Sequence, residues 1–191
     1  MSMKTKKDLK TVFAGLSSIM LQKAQIDTSS ASITISADFD LPVTVDTLSI
    51  SQGAPSINHY KVHGMATDWT STATPSDAEI SLTIPSVHED LIEYFFGAGS
   101  AVTATLNGST NTFAGSGYKN DPIKCECSLV LMNDTEDKLF VIAKASLWAS
   151  IQYENGSTEP IAISISGTIE GNDTDPDFLY LEKSTTPPEE P

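Results

Sequence analysis

Three histidines, two cysteines and a surplus of carboxylates are what this 191-residue chain has to offer for chemistry. His59 and His63 stand four residues apart, a metal-pair spacing on a helix. Their segment, INHYKVHGMATDW, alternates like a strand and brings no third ligand near, so the spacing does not make a metal site. His88 sits beside a helix start and reads as exposed. Asp173, Asp175 and Asp177 in GNDTDPDF have the opening spacing of a calcium loop. Such a loop needs Gly at its sixth position and Glu at its twelfth, where this chain has Phe178 and Ser184. Cys125 and Cys127, in IKCECSLVL, fall on one face of a strand. Their Cα atoms would lie roughly 6.6 Å apart with parallel side chains, a poor disulfide geometry. Reduced core thiols are expected. The sequence has no Gly-x-Ser-x-Gly elbow, no phosphate-cradling glycine loop and no convincing Cys/His pair. It therefore argues against an enzyme, and no catalytic residue, metal or cofactor is expected.

The elements that would position any site are strands. Ser and Thr make up 45 of the residues, which suits strands with one wet face. ASITISADF places Ile33, Ile35 and Phe39 on one face. PVTVDTLSIS starts with Val43 and Val45, then continues with Leu48 and Ile50 on the opposite parity. That switch predicts a bulge or bend near Asp46 and Thr47. Further alternating runs are YKV, AEISLTIP, AVTATL, IKCECSLVL and IAISISGTIE, and Asn107-Gly108 is a hairpin-turn signal. LFVIAKASLWASIQY keeps one parity from Leu139 to Tyr153. Such a strand would span about 50 Å, so it must be bent, bulged or exceptionally long. Trp148 lies opposite its apolar face, exposed or in an interface. Thr11 to Gln25 is ambiguous between helix and extended chain. SQGAPS (51–56) with its second half TSTATPSD (70–77), and NGSTNTFAGSGYKNDP (107–122), read as two long loops. The expected fold is mainly β: an antiparallel sandwich or barrel of about eight strands. The domain plan is a flexible arm over 1–12, one β domain over 13–170 and a loose acidic, Pro-rich tail over 171–191.

Charge narrows the function classes. Net charge is −14 and there is no Arg. Beyond residue 10, 7 Lys face 24 acids, a net of −17. Such a surface should repel nucleic acid rather than grip it. No run of about 20 apolar residues offers a membrane span. No signal peptide is recognised, and a cytosolic site of synthesis is expected. Asn107, Asn133, Asn155 and Asn172 match N-x-S/T, which carries little weight without secretion.

One segment departs from the strand pattern. ISLTIPSVHEDLIEYFFG alternates up to Pro85 and then takes helical spacing. Ser86 with Glu89 three residues on forms a capping box, and Glu89 and Asp90 in the first turn suit the helix dipole. Val87, Leu91 and Phe95 make an apolar stripe, with Ile92 and Phe96 beside it. Gly97 suits the residue after the helix. A helix over about 87–96 is too short to stand alone, so Val87, Leu91, Phe95 and Phe96 are expected to pack on a sheet.

An N-terminal FAGLSSIML, an early strand pair, a long loop leading into YKVHGMATDW and then ISLTIPSVHEDLIEYFFG resemble the tail tube proteins of long-tailed bacteriophages. The resemblance covers roughly residues 10–170 and rests on pattern and element order. It also extends to tube proteins of contractile injection systems. It implies a structural subunit, found in the virion tail after assembly in the host cytoplasm. Such subunits form homo-hexameric rings that stack into a tube, with strands joined into one inner barrel. Segment 51–79, including Gln52, Pro55, His59, Trp69 and Pro75, would bridge rings, with the N-terminal arm as a second bridge. Implied partners are further copies, tape-measure and terminator proteins, and double-stranded DNA passing an acidic lumen without specific binding; no membrane is implied. The alternative is a β-sandwich binding module, an adhesin or carbohydrate-binding domain, which an exposed Trp69 or Trp148 beside a sugar-sized groove would favour.

Overall fold

A computed structural model describes residues 11–44, 46–121, 123–153, 160–171 and 175–184. Residues 1–10 of the arm expected over 1–12, Val45, Asp173, Asn155, Asn172 and the last residues of the expected tail lie outside them. The fold is mainly β, with antiparallel pairing and one short helix. Twelve strands stand among the described residues, against the eight expected. They are β1 (Ser18–Gln22), β2 (Phe39–Asp40), β3 (Ser49–Gln52), β4 (Ser56–Tyr60), β5 (Thr70–Thr74), β6 (Ala78–Ile84), β7 (Ser100–Thr105), β8 (Thr112–Gly117), β9 (Cys125–Met132), β10 (Lys138–Gln152), β11 (Ala162–Ile169) and β12 (Phe178–Glu182); helix α1 (Glu89–Phe96) lies between β6 and β7.

The chain divides into two compact units. Strand β10 runs from one into the other: residues up to Lys144 belong to the first, those from Ala145 to the second.

In the first unit β1 pairs with β2 on one side and β9 on the other, and β12 pairs with the start of β10. The ambiguous segment before Gln25 is thus a strand, with Ile19 and Leu21 buried opposite Leu131 and Leu129. Strand β9 is buried on both faces. Val130 joins Ile26 and Val141 in a cluster against which Ile33, Ile35, Leu139 and Leu179 pack. Ser128, on the same face as Val130, is fully buried and satisfied. It donates to Ala143 O at 2.5 Å and accepts from Ile26 N at 2.8 Å, which removes the penalty of burying a hydroxyl. Two expectations need correction here. ASITISADF, expected as a strand, ladders only at its last residue, Phe39; Ser36 N bonds the Gln22 side chain instead of a neighbouring strand. The stretch expected to be a loose tail contains β12, because Phe178 can stack on Phe140 while its backbone pairs with β10.

In the second unit the rest of β10, β11, β6 and β3 form a sheet in that order. The alternation seen in the sequence sorts its two faces. Ile80, Leu82, Ile84, Ile163, Ile165, Leu147 and Ala149 are buried on one. Ser and Thr dominate the other. Gly167 sits between Ile80 and Leu147, and a Cβ there would come within 2.1 Å of Ser146 O. A side chain at 167 therefore has no room unless the strands move. The parity switch before β3 falls on Asp46, whose φ of 62° is the left-handed backbone that Asp tolerates.

Helix α1 starts two residues later than expected. His88, extended at φ −62° and ψ 139°, is the N-cap, and its Nδ1 accepts from Asp90 N at 3.3 Å. The expected cap, Ser86, instead accepts from His88 N at 3.3 Å, which holds the preceding turn outside the helix. Glu89 is then the first helical residue rather than the closing half of a capping box, and it accepts a 2.6 Å hydrogen bond from the Ser116 hydroxyl. Val87 falls outside the helix and is half exposed, whereas Leu91, Phe95 and Phe96 are buried. Gly97 follows the helix at φ 84°, a value that favours glycine, and its N–H reaches Glu93 O.

Candidate assembly surface

Strands β3 and β6 pair from Ser49↔Ser81 to Gln52↔Ala78, and the chain between them leaves the sheet. Every residue from Ser51 to Pro75 is exposed. The segment is nevertheless ordered as a hairpin: β4 and β5 pair from Ser56↔Thr74 to Tyr60↔Thr70, so 70–74 is strand and not loop. The period-2 signal in TSTAT was hidden because Thr, Ser and Ala give little hydrophobic contrast. At its tip Trp69 N donates to Tyr60 O and Met65 N to Val62 O, with Gly64 at φ 88° in the turn. At its base Gln52 Nε2 donates to Ser76 O at 3.0 Å.

This hairpin gathers four of the five loop residues named from the sequence, Pro55, His59, Trp69 and Pro75, beyond Gln52 at its base. His59 Nδ1 lies 2.5 Å from Asp68 Oδ2, and Lys61 Nζ is 3.9 Å from the same carboxylate. These exposed pairs orient the tip but add little stability. His59 faces a carboxylate and not His63, and no set of three metal-ligating side chains occurs among the described residues. Ile57, Tyr60, Val62, Met65 and Trp69 are all exposed, Trp69 by 64%. A two-stranded ribbon without a packed face is marginal in water. Chemically, this finger offers apolar contact area to something outside the chain.

A second exposed ribbon has its first strand and its turn where the sequence puts them, and a second strand, Thr112–Gly117, where a loop is expected. Strands β7 and β8 pair across the expected Asn107-Gly108 turn, where Gly108 has φ 80°. One face carries Val102 and Ala104, with Phe113 opposite Ala104 and Gly115 opposite Val102. Val102, Leu106 and Phe113 are each more than half exposed. Residues 107–122 look like a loop because Gly115 and Gly117 take the alternate places after Phe113 where a strand would show an aliphatic residue.

Cys125 and Cys127 are both buried and free of a disulfide. The Cys125 thiol donates to Tyr94 O at 3.3 Å, and burial pushes its pKa up to about 11. It is a structural thiol, not a nucleophile. No helix among the described residues is long and apolar enough to cross a membrane. Compared with known proteins, the chain matches no protein-family model and no curated protein at a significant level.

Proposed function

We propose that the chain is a structural subunit that assembles with copies of itself into stacked hexameric rings, the tube of a phage tail. One observation carries this reading: the β4–β5 finger is ordered yet exposed along its whole length, with Ile57, Tyr60, Val62, Met65 and Trp69 facing water. A neighbouring subunit gives those side chains a place to be buried. The finger lies where the tail tube resemblance puts the bridge between rings. Strand β3, which pairs only with β6 among the described residues, leaves an edge that a copy can extend. The net charge of −14 supplies the acidic lumen through which DNA slides without being held. Tape-measure and terminator proteins are the further partners of such a tube. The decisive variant pair is Ile57→Asp and Trp69→Asp. Each should keep the circular dichroism of the parent and lose higher-order species in sedimentation velocity. Unchanged association in both would reject the finger as the contact.

A second reading, a carbohydrate-binding module, is favoured by one specific feature: Trp148, Ser49, Ser81, Glu79, Ser166 and Thr168 line an open groove on the second unit's sheet.

A further inference from the structure

Four strands of the second unit write nearly the same phrase. LSIS, ISLT, ISISGT and ASLWAS put Ile or Leu inward and Ser or Thr outward. Register aligns them. Ser49 faces Ser81, Ser81 faces Ser166 and Ser166 faces Trp148, a single transverse row across β3, β6, β11 and β10. With strands about 4.8 Å apart the row is about 14 Å long, longer than one hexose ring. The row beside it carries Glu79 next to Thr168. Together these residues line an open groove of about 470 Å³.

Each component has a chemistry. Trp148 is 38% exposed on a strand whose other face is core, so an indole is held where water must wet an apolar ring. An aromatic face stacks against the C–H face of a pyranose. The hydroxyls of Ser49, Ser81, Ser166 and Thr168 make no side-chain hydrogen bond within the protein among the described residues. They are free to donate and accept. Glu79 is exposed and forms no ion pair among the described residues. A carboxylate there accepts from sugar hydroxyls and repels acidic sugars, as does the charge of the whole chain. An apolar peptide would leave the hydroxyls and Glu79 without partners, and a nucleic acid would meet the wrong charge.

We infer that the Trp148 groove is a binding site for a neutral, pyranose-based glycan, with one ring stacked on Trp148 and the next running along Ser166 and Ser81. An open groove covers one side of its ligand, so binding is weak, on the order of 0.1–1 mM. The inference does not depend on the tube reading, and either can fail alone.

The test titrates the full chain, with Trp69→Phe so that Trp148 is the only indole, against cellopentaose, maltopentaose and chitopentaose. A galacturonic acid pentamer is the acidic control. Indole fluorescence and amide shifts are followed at a protein concentration where the chain does not self-associate. At least one neutral probe should perturb Trp148, Ser166 and Ser81, and the acidic pentamer should not. Trp148→Ala should weaken the response at least tenfold, while Trp148→Phe keeps part of it. No response to any neutral probe, or a response that survives Trp148→Ala, overturns the site. So does a Trp148 signal that moves only with protein concentration, which would mean that a second copy covers the face.

Discussion

Asn133 and Asp137 show how much of one turn rests on two side chains. Asn133 is buried, its amide donates to Thr135 and Asp137, and its carbonyl accepts from Asp137 N and Lys138 N. Its match to a glycosylation sequon is therefore incidental to the folded protein. The Lys138 ammonium, 2.8 Å away, holds the Asp137 carboxyl well below the usual carboxylate range, and hydrogen bonds from Thr135 and Asn133 add to it. The sign of the linkage follows. A depressed folded pKa stabilises above the unfolded value of about 3.9, and the contribution fades as pH falls from there towards the folded value. Asp137→Asn should thus be less stable than the parent at neutral pH, with the gap closing progressively below about pH 4. Denaturant titrations at several pH values check this; a constant gap would show that the carboxylate's charge is irrelevant.

At the scale of elements, helix α1 separates two kinds of apolar residue that the sequence groups together. Phe95 is fully buried, and Phe95→Ala should cost about 3–5 kcal/mol of stability. Val87 is 50% exposed and outside the helix, and Val87→Ala should change stability by less than about 0.5 kcal/mol. Comparable losses would restore the longer helix. Helical spacing revealed Leu91, Phe95 and Phe96 correctly because it reports which side is apolar. It misplaced the start because a Ser-x-x-Glu spacing fits more than one register, and His88 competes for the cap through its Nδ1. Strands with apolar residues at alternate positions, such as β6, β9 and β11, were legible for the same reason. The ribbons β4–β5 and β7–β8 were only half legible: their second strands, TSTAT and TFAGSG, carry Phe113 but no apolar period. The candidate contact finger was legible as a segment, and its hairpin form was not. The row of hydroxyls leading to Trp148 was invisible, since it arises from the registers of four strands distant in sequence.

The whole molecule combines an acidic surface with apolar side chains on exposed ribbons. On the proposed reading, charge would keep single subunits apart in dilute solution, and ribbon contacts would act once subunits meet. Association should therefore strengthen as salt screens the repulsion, over a Debye length of about 10 Å at 0.1 M. The central claim is assembly into a tube. Negative-stain electron microscopy of the concentrated 191-residue chain at moderate salt tests it most directly. The account predicts six-membered rings with a central channel, and stacks of them in register. A uniform field of 20.4 kDa monomers across concentration and salt would contradict it.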